Sequence, residues 1–110
     1  MAIQYQRWER RDGANRDALG KAALAYCRAS RTDTRNARFY WATADTVAIL
    51  VQAPEVSDFY SGAATPEGAR ATFALSDLAH MAATENWTDA GRGEQTFRMA
   101  QQGQLAGSRN

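Results

Sequence analysis

The amino-acid sequence predicts an α+β fold in the order β-α-β-β-α-β, a four-stranded antiparallel sheet with two helices on one face. Three stretches carry that prediction. Residues 38–53, RFYWATADTVAILVQA, hold two dense aromatic and β-branched segments around a short turn, the pattern of a hairpin. Leu19, Ala22, Ala23, Tyr26 and Cys27 recur at helical spacing behind an alternating N-terminal segment. Thr65-Pro66-Glu67 combines a threonine cap, proline at the first helical position and an acid in the first turn. The hairpin also says something about assembly, because neither of its segments has a polar face. A strand apolar on both sides must be covered on both sides. In a chain of 110 residues the helices of the same molecule can cover one face, which leaves the other to a second subunit or a ligand.

Each element follows from local pattern. Residues 2–8 alternate weakly, with Ile3 and Tyr5 on one side and Gln4, Gln6 and Trp8 on the other, and form the first strand. Asp12-Gly13 supplies a turn and an N-cap, and a helix follows over about 15–30 with Arg16, Asp17, Lys21 and Arg28 on its polar face. Gly20 inside that helix costs about 1 kcal/mol relative to alanine but permits close packing. The polar run 30–36 is a loop. The hairpin turns near Thr43-Ala44-Asp45. A loop of two or four residues groups Tyr40 with Val47 and Ile49, and Phe39 and Trp41 with Ala48 and Leu50; a three-residue loop reverses the grouping. Pro54 closes the third strand, and residues 56–61 can make a short helical turn. The second helix is expected over 66–86, with Phe73, His80 and Trp87 on one line, and a fourth strand over 94–100. Residues 1–100 then form one domain, and 101–110 a mobile or partner-contacting tail.

Composition narrows the function classes. Thirteen basic against twelve acidic residues leave a net charge of +1, too little field to gather nucleic acid or an anionic membrane. The longest apolar run, near 47–51, is far short of the roughly 20 residues of a membrane span. Cys27 stands alone and the N-terminus lacks the apolar core of a secretory signal, so a cytoplasmic location is expected, and Asn86-Trp87-Thr88 matches a glycosylation sequon by chance. Residues 13–21 space their glycines wrongly for a phosphate loop and follow with Ala22, and Gly91-x-Gly93 precedes a strand where a dinucleotide fingerprint follows one. Cys27, on the apolar stripe, reads as packing. With one histidine and no clustered acids, no zinc site is expected.

In element order and lengths, the chain resembles the dimeric α+β barrel proteins, a ferredoxin-like superfamily that includes small antibiotic-biosynthesis-type monooxygenases, haem-degrading monooxygenases and stress-responsive barrel proteins. The resemblance spans nearly the whole chain, is topological, and rests on no diagnostic motif. It implies a homodimer with two sheets face to face and a small apolar or aromatic molecule between sheet and second helix. For the monooxygenase-type members it implies oxygenation of an electron-rich aromatic substrate without a bound cofactor. Haem-degrading members carry an axial histidine on the second helix, where His80 is expected, with a tryptophan before it and an asparagine on the first strand. This chain has Arg70 ten residues upstream, Trp87 after the histidine, and Gln4 and Gln6 on the first strand.

His80 and Asp77, three residues apart on the expected helix, are the candidate catalytic pair, the carboxylate orienting the imidazole as a general base; the same spacing is common on solvated helix surfaces. Tyr5, Phe39, Trp41, Phe73 and Trp87 are the candidate substrate-binding aromatics, which equally suit a core and an interface. Tyr5, Tyr26, Tyr40 and Tyr60 can each donate a hydrogen bond to a ligand oxygen, and spacing singles out none of them. Two functions remain: a dimer that binds, and oxygenates, a small aromatic molecule, and a non-catalytic dimer whose apolar surfaces serve assembly.

Overall fold

A computed structural model describes residues 1–60 and 65–89. Its elements are β1 (Ala2–Arg10), α1 (Arg16–Ser30), β2 (Asn36–Thr43), β3 (Thr46–Ala53), a 3-10 turn (Val56–Phe59), α2 (Pro66–Leu78) and β4 (Ala79–Thr88). The four strands form one sheet in the order β2-β3-β1-β4, every neighbouring pair antiparallel. Both helices lie on one face, as expected.

Local chemistry starts the helices. The Asn15 side chain accepts from the Ala18 amide at 2.9 Å, capping α1, whose residues Leu19, Ala23 and Cys27 are buried one turn apart. Gly13 adopts φ +80°, the left-handed conformation that makes glycine the natural residue for the turn before the helix. A Cβ at Gly20 would lie 3.4 Å from the Trp41 ring, so this glycine is where β2 approaches α1. In α2 the Thr65 hydroxyl accepts from the Gly68 amide, Pro66 opens the helix, and Ala71 and Leu75 are buried.

The hairpin turns on two residues, Ala44 and Asp45, yet its faces are those expected of a three-residue loop. The reason is an irregularity between Trp41 and Thr43: beyond it Trp41 pairs with Val47, Phe39 with Ile49 and Tyr40 with Ala48. Phe39 and Trp41 therefore join Val47, Ile49 and Val51 under the helices. Together with Trp8, Leu19, Ala23, Cys27, Leu75 and Ala79 these make the core. The guanidinium of Arg16 sits 4.1 Å from the centre of the Trp41 ring and closes that end.

The second half departs from the sequence expectation. The helix expected to reach residue 86 ends at Leu78, and the chain passes without a loop into β4. Two distant interactions explain the stop. Arg11, just past β1, donates its amide to the Leu78 carbonyl at 2.9 Å and its Nε to the Ser76 carbonyl at 2.8 Å, satisfying the last carbonyls of the helix. β1 then offers an edge along which residues 79–88 pair from Arg10 to Ala2. The strand expected at 94–100 and the tail at 101–110 lie outside the described residues.

The face away from the helices carries Ile3, Tyr5, Arg7 and Glu9 of β1, Ala48, Leu50 and Gln52 of β3, Arg38 and Tyr40 of β2, and His80, Glu85 and Trp87 of β4. Tyr5 and Trp87 stack there, ring centres 5.4 Å apart and nearly parallel. Tyr40 and Trp87 remain 50% and 43% exposed. The apolar part of this second face is Ile3, Tyr5, Tyr40, Ala48, Leu50 and Trp87, and among the described residues no element packs over it.

Candidate functional site

Between the sheet, the C-terminal end of α1 and the N-terminal half of α2 lies an open cleft of about 940 Å³. Its apolar walls are Val51, Phe59, Ala29 and Phe73, and its polar groups include Gln4, Tyr26 and Tyr60. Each is placed by an element already described. Val51 and Gln4 face each other across the β1–β3 ladder, Tyr26 lies one turn from the end of α1, and Tyr60 follows the 3-10 turn. That turn is pinned by Arg35, which donates to the Ser30 carbonyl at 2.6 Å and the Asp58 carbonyl at 3.1 Å.

The helix-facing side of β1 is unusual for a sheet core because it carries amides. Gln6, 3% exposed, accepts from the Trp8 indole at 2.9 Å and donates to Gln4 Oε1 at 2.8 Å and to the Tyr26 hydroxyl at 3.1 Å. Gln4 donates to the Tyr60 hydroxyl at 3.2 Å and to Asn86 Oδ1 at 3.3 Å, and Asn86 Nδ2 donates to the same hydroxyl at 3.0 Å. A buried amide left without partners would cost about 1–3 kcal/mol, and here each one is used. No buried side-chain nitrogen or oxygen lacks a partner among the described residues. The cleft's charged rim is mainly basic, with Arg28, Arg31 and Arg35 against Asp58 and Glu67. Arg31 is tied to the Ala37 carbonyl through two nitrogens. The Arg28 guanidinium makes no hydrogen bond or ion pair among the described residues.

No family model and no curated protein matches the chain. Solved structures match it in shape. A protein from Nitrosomonas europaea described as a candidate antibiotic biosynthesis monooxygenase aligns at TM-score 0.64 and 9% identity over 82% of this chain and 99% of that one. SnoaB, a cofactor-independent oxygenase from Streptomyces nogalater, aligns at TM-score 0.58 and 10% identity over 79% and 90%. A dimeric protein of ferredoxin-like fold from Bacteroides fragilis aligns at TM-score 0.52 and 11% identity over 78% and 94%. The chain has the ferredoxin-like fold.

On this ferredoxin-like frame the residues singled out from sequence separate into four places. Of the five expected substrate-binding aromatics, Phe73, 72% exposed on α2, lines the cleft, beside Tyr26 and Tyr60 from the four candidate donors. Phe39 and Trp41 pack against the core under α1. Tyr5 and Trp87 stack on the opposite face of the sheet. His80 also faces that side, because it is the second residue of β4 and stands opposite Glu9, with Nε2 3.4 Å from Glu9 Oε2. The helix face that was to bring Asp77 to His80 is not formed: Asp77 is exposed in the last turn of α2, and His80 has crossed into the sheet. The haem reading required a histidine on the second helix and loses that support for the same reason. Among the described residues no three His, Cys, Asp or Glu side chains cluster to hold a metal ion, and no helix is long and apolar enough to cross a membrane.

Sequence reasoning named Tyr26 and Tyr60 among four candidate donors to a ligand oxygen without separating them from Tyr5 and Tyr40, and it missed Gln4, Gln6 and Asn86 as their partners. A signal was there: Gln4, Gln6 and Trp8 occupy alternate positions, which puts two amides and an indole on one strand face. What the pattern could not say was that this face looks toward the helices.

Proposed function

We propose that the cleft between the sheet and α2 binds a small, largely apolar aromatic molecule, and that the protein oxygenates it with dioxygen without a bound cofactor. The observation that carries this reading is the cleft itself, where aromatic and aliphatic walls meet convergent phenol and amide groups, the make-up of a small-molecule site. The shared fold with a cofactor-independent oxygenase supports the choice of chemistry. In such a reaction the substrate supplies the electrons: the ring carbon para to a phenol hydroxyl takes up one atom of O₂ as a carbonyl, the hydroxyl carbon becomes the second carbonyl of a quinone, and the para C–H and O–H hydrogens leave with the other oxygen as water. An electron-rich phenol reacts best as its anion, and Arg28 on the rim would favour that form. His80 and Asp77 lie outside the residues lining the cleft, so substrate ionisation here falls to the rim charges and the phenols.

The same reading makes the protein a homodimer through the open sheet face, where Ile3, Tyr5, Tyr40, Leu50 and Trp87 form one apolar surface. The dimeric relative of the same fold supports it. The test is calorimetric titration with 1-naphthol, dioxygen uptake in chelator-treated buffer, and sedimentation. Saturable binding with uptake is expected, at a dimer mass, and His80→Ala should leave binding unchanged. Saturable binding without uptake makes the protein a carrier. Absence of saturable binding in a stable dimer would favour a purely structural assembly.

A further inference from the structure

The hydrogen-bond directions along the cleft wall are set by one side chain that does not line the cleft. A chain of amides alone can run either way, because each amide presents a donor at one end and an acceptor at the other. An indole N–H can only donate. The Trp8 bond therefore obliges Gln6 to turn its oxygen toward Trp8 and its nitrogen toward Gln4 and Tyr26. Gln4, having given its oxygen to Gln6, must offer its nitrogen to Tyr60 and Asn86. Asn86, having accepted, donates to Tyr60. Both phenol oxygens end as acceptors, Tyr26 once and Tyr60 twice, and neither phenol hydrogen finds an acceptor among the described residues. Both phenols line the cleft.

We infer that Trp8 is a positioning residue that sets the polarity of this cleft: through Gln6 and Gln4 it makes Tyr26 and Tyr60 donors toward the bound molecule, so the site selects an aromatic ligand bearing an acceptor oxygen over the hydrocarbon of the same shape. The inference rests on the ligand-binding reading of the cleft and adds which residues decide what it takes. A site built to pair with an oxygen discriminates against the analogue lacking it more strongly than an apolar pocket discriminates by size, because the unpaired polar groups are the penalty. Exposure of the cleft tempers that penalty, since water can replace the missing oxygen.

The probes are 1-tetralone and tetralin, which share a bicyclic skeleton and differ by the carbonyl oxygen, titrated calorimetrically into the full chain. Tetralone should bind at least tenfold more tightly. Tyr26→Phe and Tyr60→Phe should each lower the tetralone-to-tetralin ratio severalfold while leaving tetralin affinity in place. Trp8→Phe should lower the ratio as well, because Gln6 and then Gln4 are free to turn and draw the phenol hydrogens inward; general loosening of the fold would weaken both probes and preserve the ratio. Should Trp8→Phe not fold, Gln6→Glu keeps the acceptor for Trp8 and replaces the donor by a second acceptor, with the same fall expected at pH 8. Equal affinity of the two probes for the wild type would overturn the polarity inference and leave the ligand reading standing. Saturation by neither probe would remove the ligand reading itself. A ratio lost in the tyrosine variants but kept in both Trp8→Phe and Gln6→Glu would remove Trp8 from its role.

Discussion

Replacing Gln6 by leucine puts the amide chain to a quantitative test. Gln6 and Trp8 are both 3% exposed, and the indole N–H has the Gln6 oxygen as its acceptor at 2.9 Å. Leucine is close in volume, so little cavity is opened, and what the substitution removes is mainly the polar partner. Gln4 and Tyr26 reach the cleft and can turn to water, whereas the Trp8 N–H cannot. The expected cost is thus that of one buried, unpartnered donor, about 1–3 kcal/mol. In a small protein with a urea m-value of about 1.5 kcal/mol/M that moves the unfolding midpoint down by roughly 1–2 M. Trp8→Phe carries its own cost in lost burial, but it also removes the donor. In the Trp8→Phe background, Gln6→Leu should therefore be close to neutral, and the double-mutant cycle should show a coupling of about 1–3 kcal/mol. Circular dichroism in urea at one fixed protomer concentration reads all four proteins on the same scale, with association held constant. A Gln6→Leu penalty equal in the two backgrounds within about 0.5 kcal/mol would refute the reasoning, since the two side chains would then be energetically independent.

Three further outcomes follow from other parts of the molecule. Asn15→Ala removes the side-chain acceptor at the start of α1 and should lower stability by about 1 kcal/mol, with Asn15→Ser restoring most of it; thermal melts of the three proteins decide. Burial pushes the Cys27 thiol up to about 11, partly opposed by Arg31. Below pH 9 both folded and unfolded chains keep that proton and stability is unaffected; between pH 9 and 11 the unfolded chain loses it first, so stability falls by about 3 kcal/mol across that window, and a pH series should be flatter in Cys27→Ala. Leu50→Asp places a charge on the open sheet face and should shift sedimentation from dimer to monomer with far-UV dichroism retained, whereas Leu75→Asp, at a fully buried site between the helices, should abolish folding. A Leu50→Asp protein that still sediments as a dimer would move the interface elsewhere.

The first half of the fold was readable because its signals are local. Gly13 turns, Leu19, Ala23 and Cys27 repeat at helical spacing, and the hairpin is dense in β-branched residues, although the cap expected at Asp12-Gly13 is supplied by Asn15. The faces of the hairpin were less so: an irregularity at one position of β2 cancels the parity that the two-residue turn would impose, and no residue type there announces it. Residues 79–88, AHMAATENWT, contain neither glycine nor proline and read as a continuing helix. They are a strand because Arg11 closes the helix from a distance and β1 has an edge to fill. That one displacement carried His80 and Trp87 from the expected helix line to the outer face of the sheet, and with them the expected Asp77–His80 pair.

Alternation and spacing alone determined the α+β class, the two helix starts and an apolar surface on the hairpin beyond what its two helices cover, because each depends on neighbours a few residues apart. Which side of the sheet the helices cover, where α2 stops, and that Trp8, Gln6, Gln4, Tyr26, Tyr60 and Asn86 form one hydrogen-bonded wall were decided by the tertiary structure. Those groups are spread from residue 4 to residue 86, and the direction of a hydrogen bond between two amides is set by what lies beyond them in space.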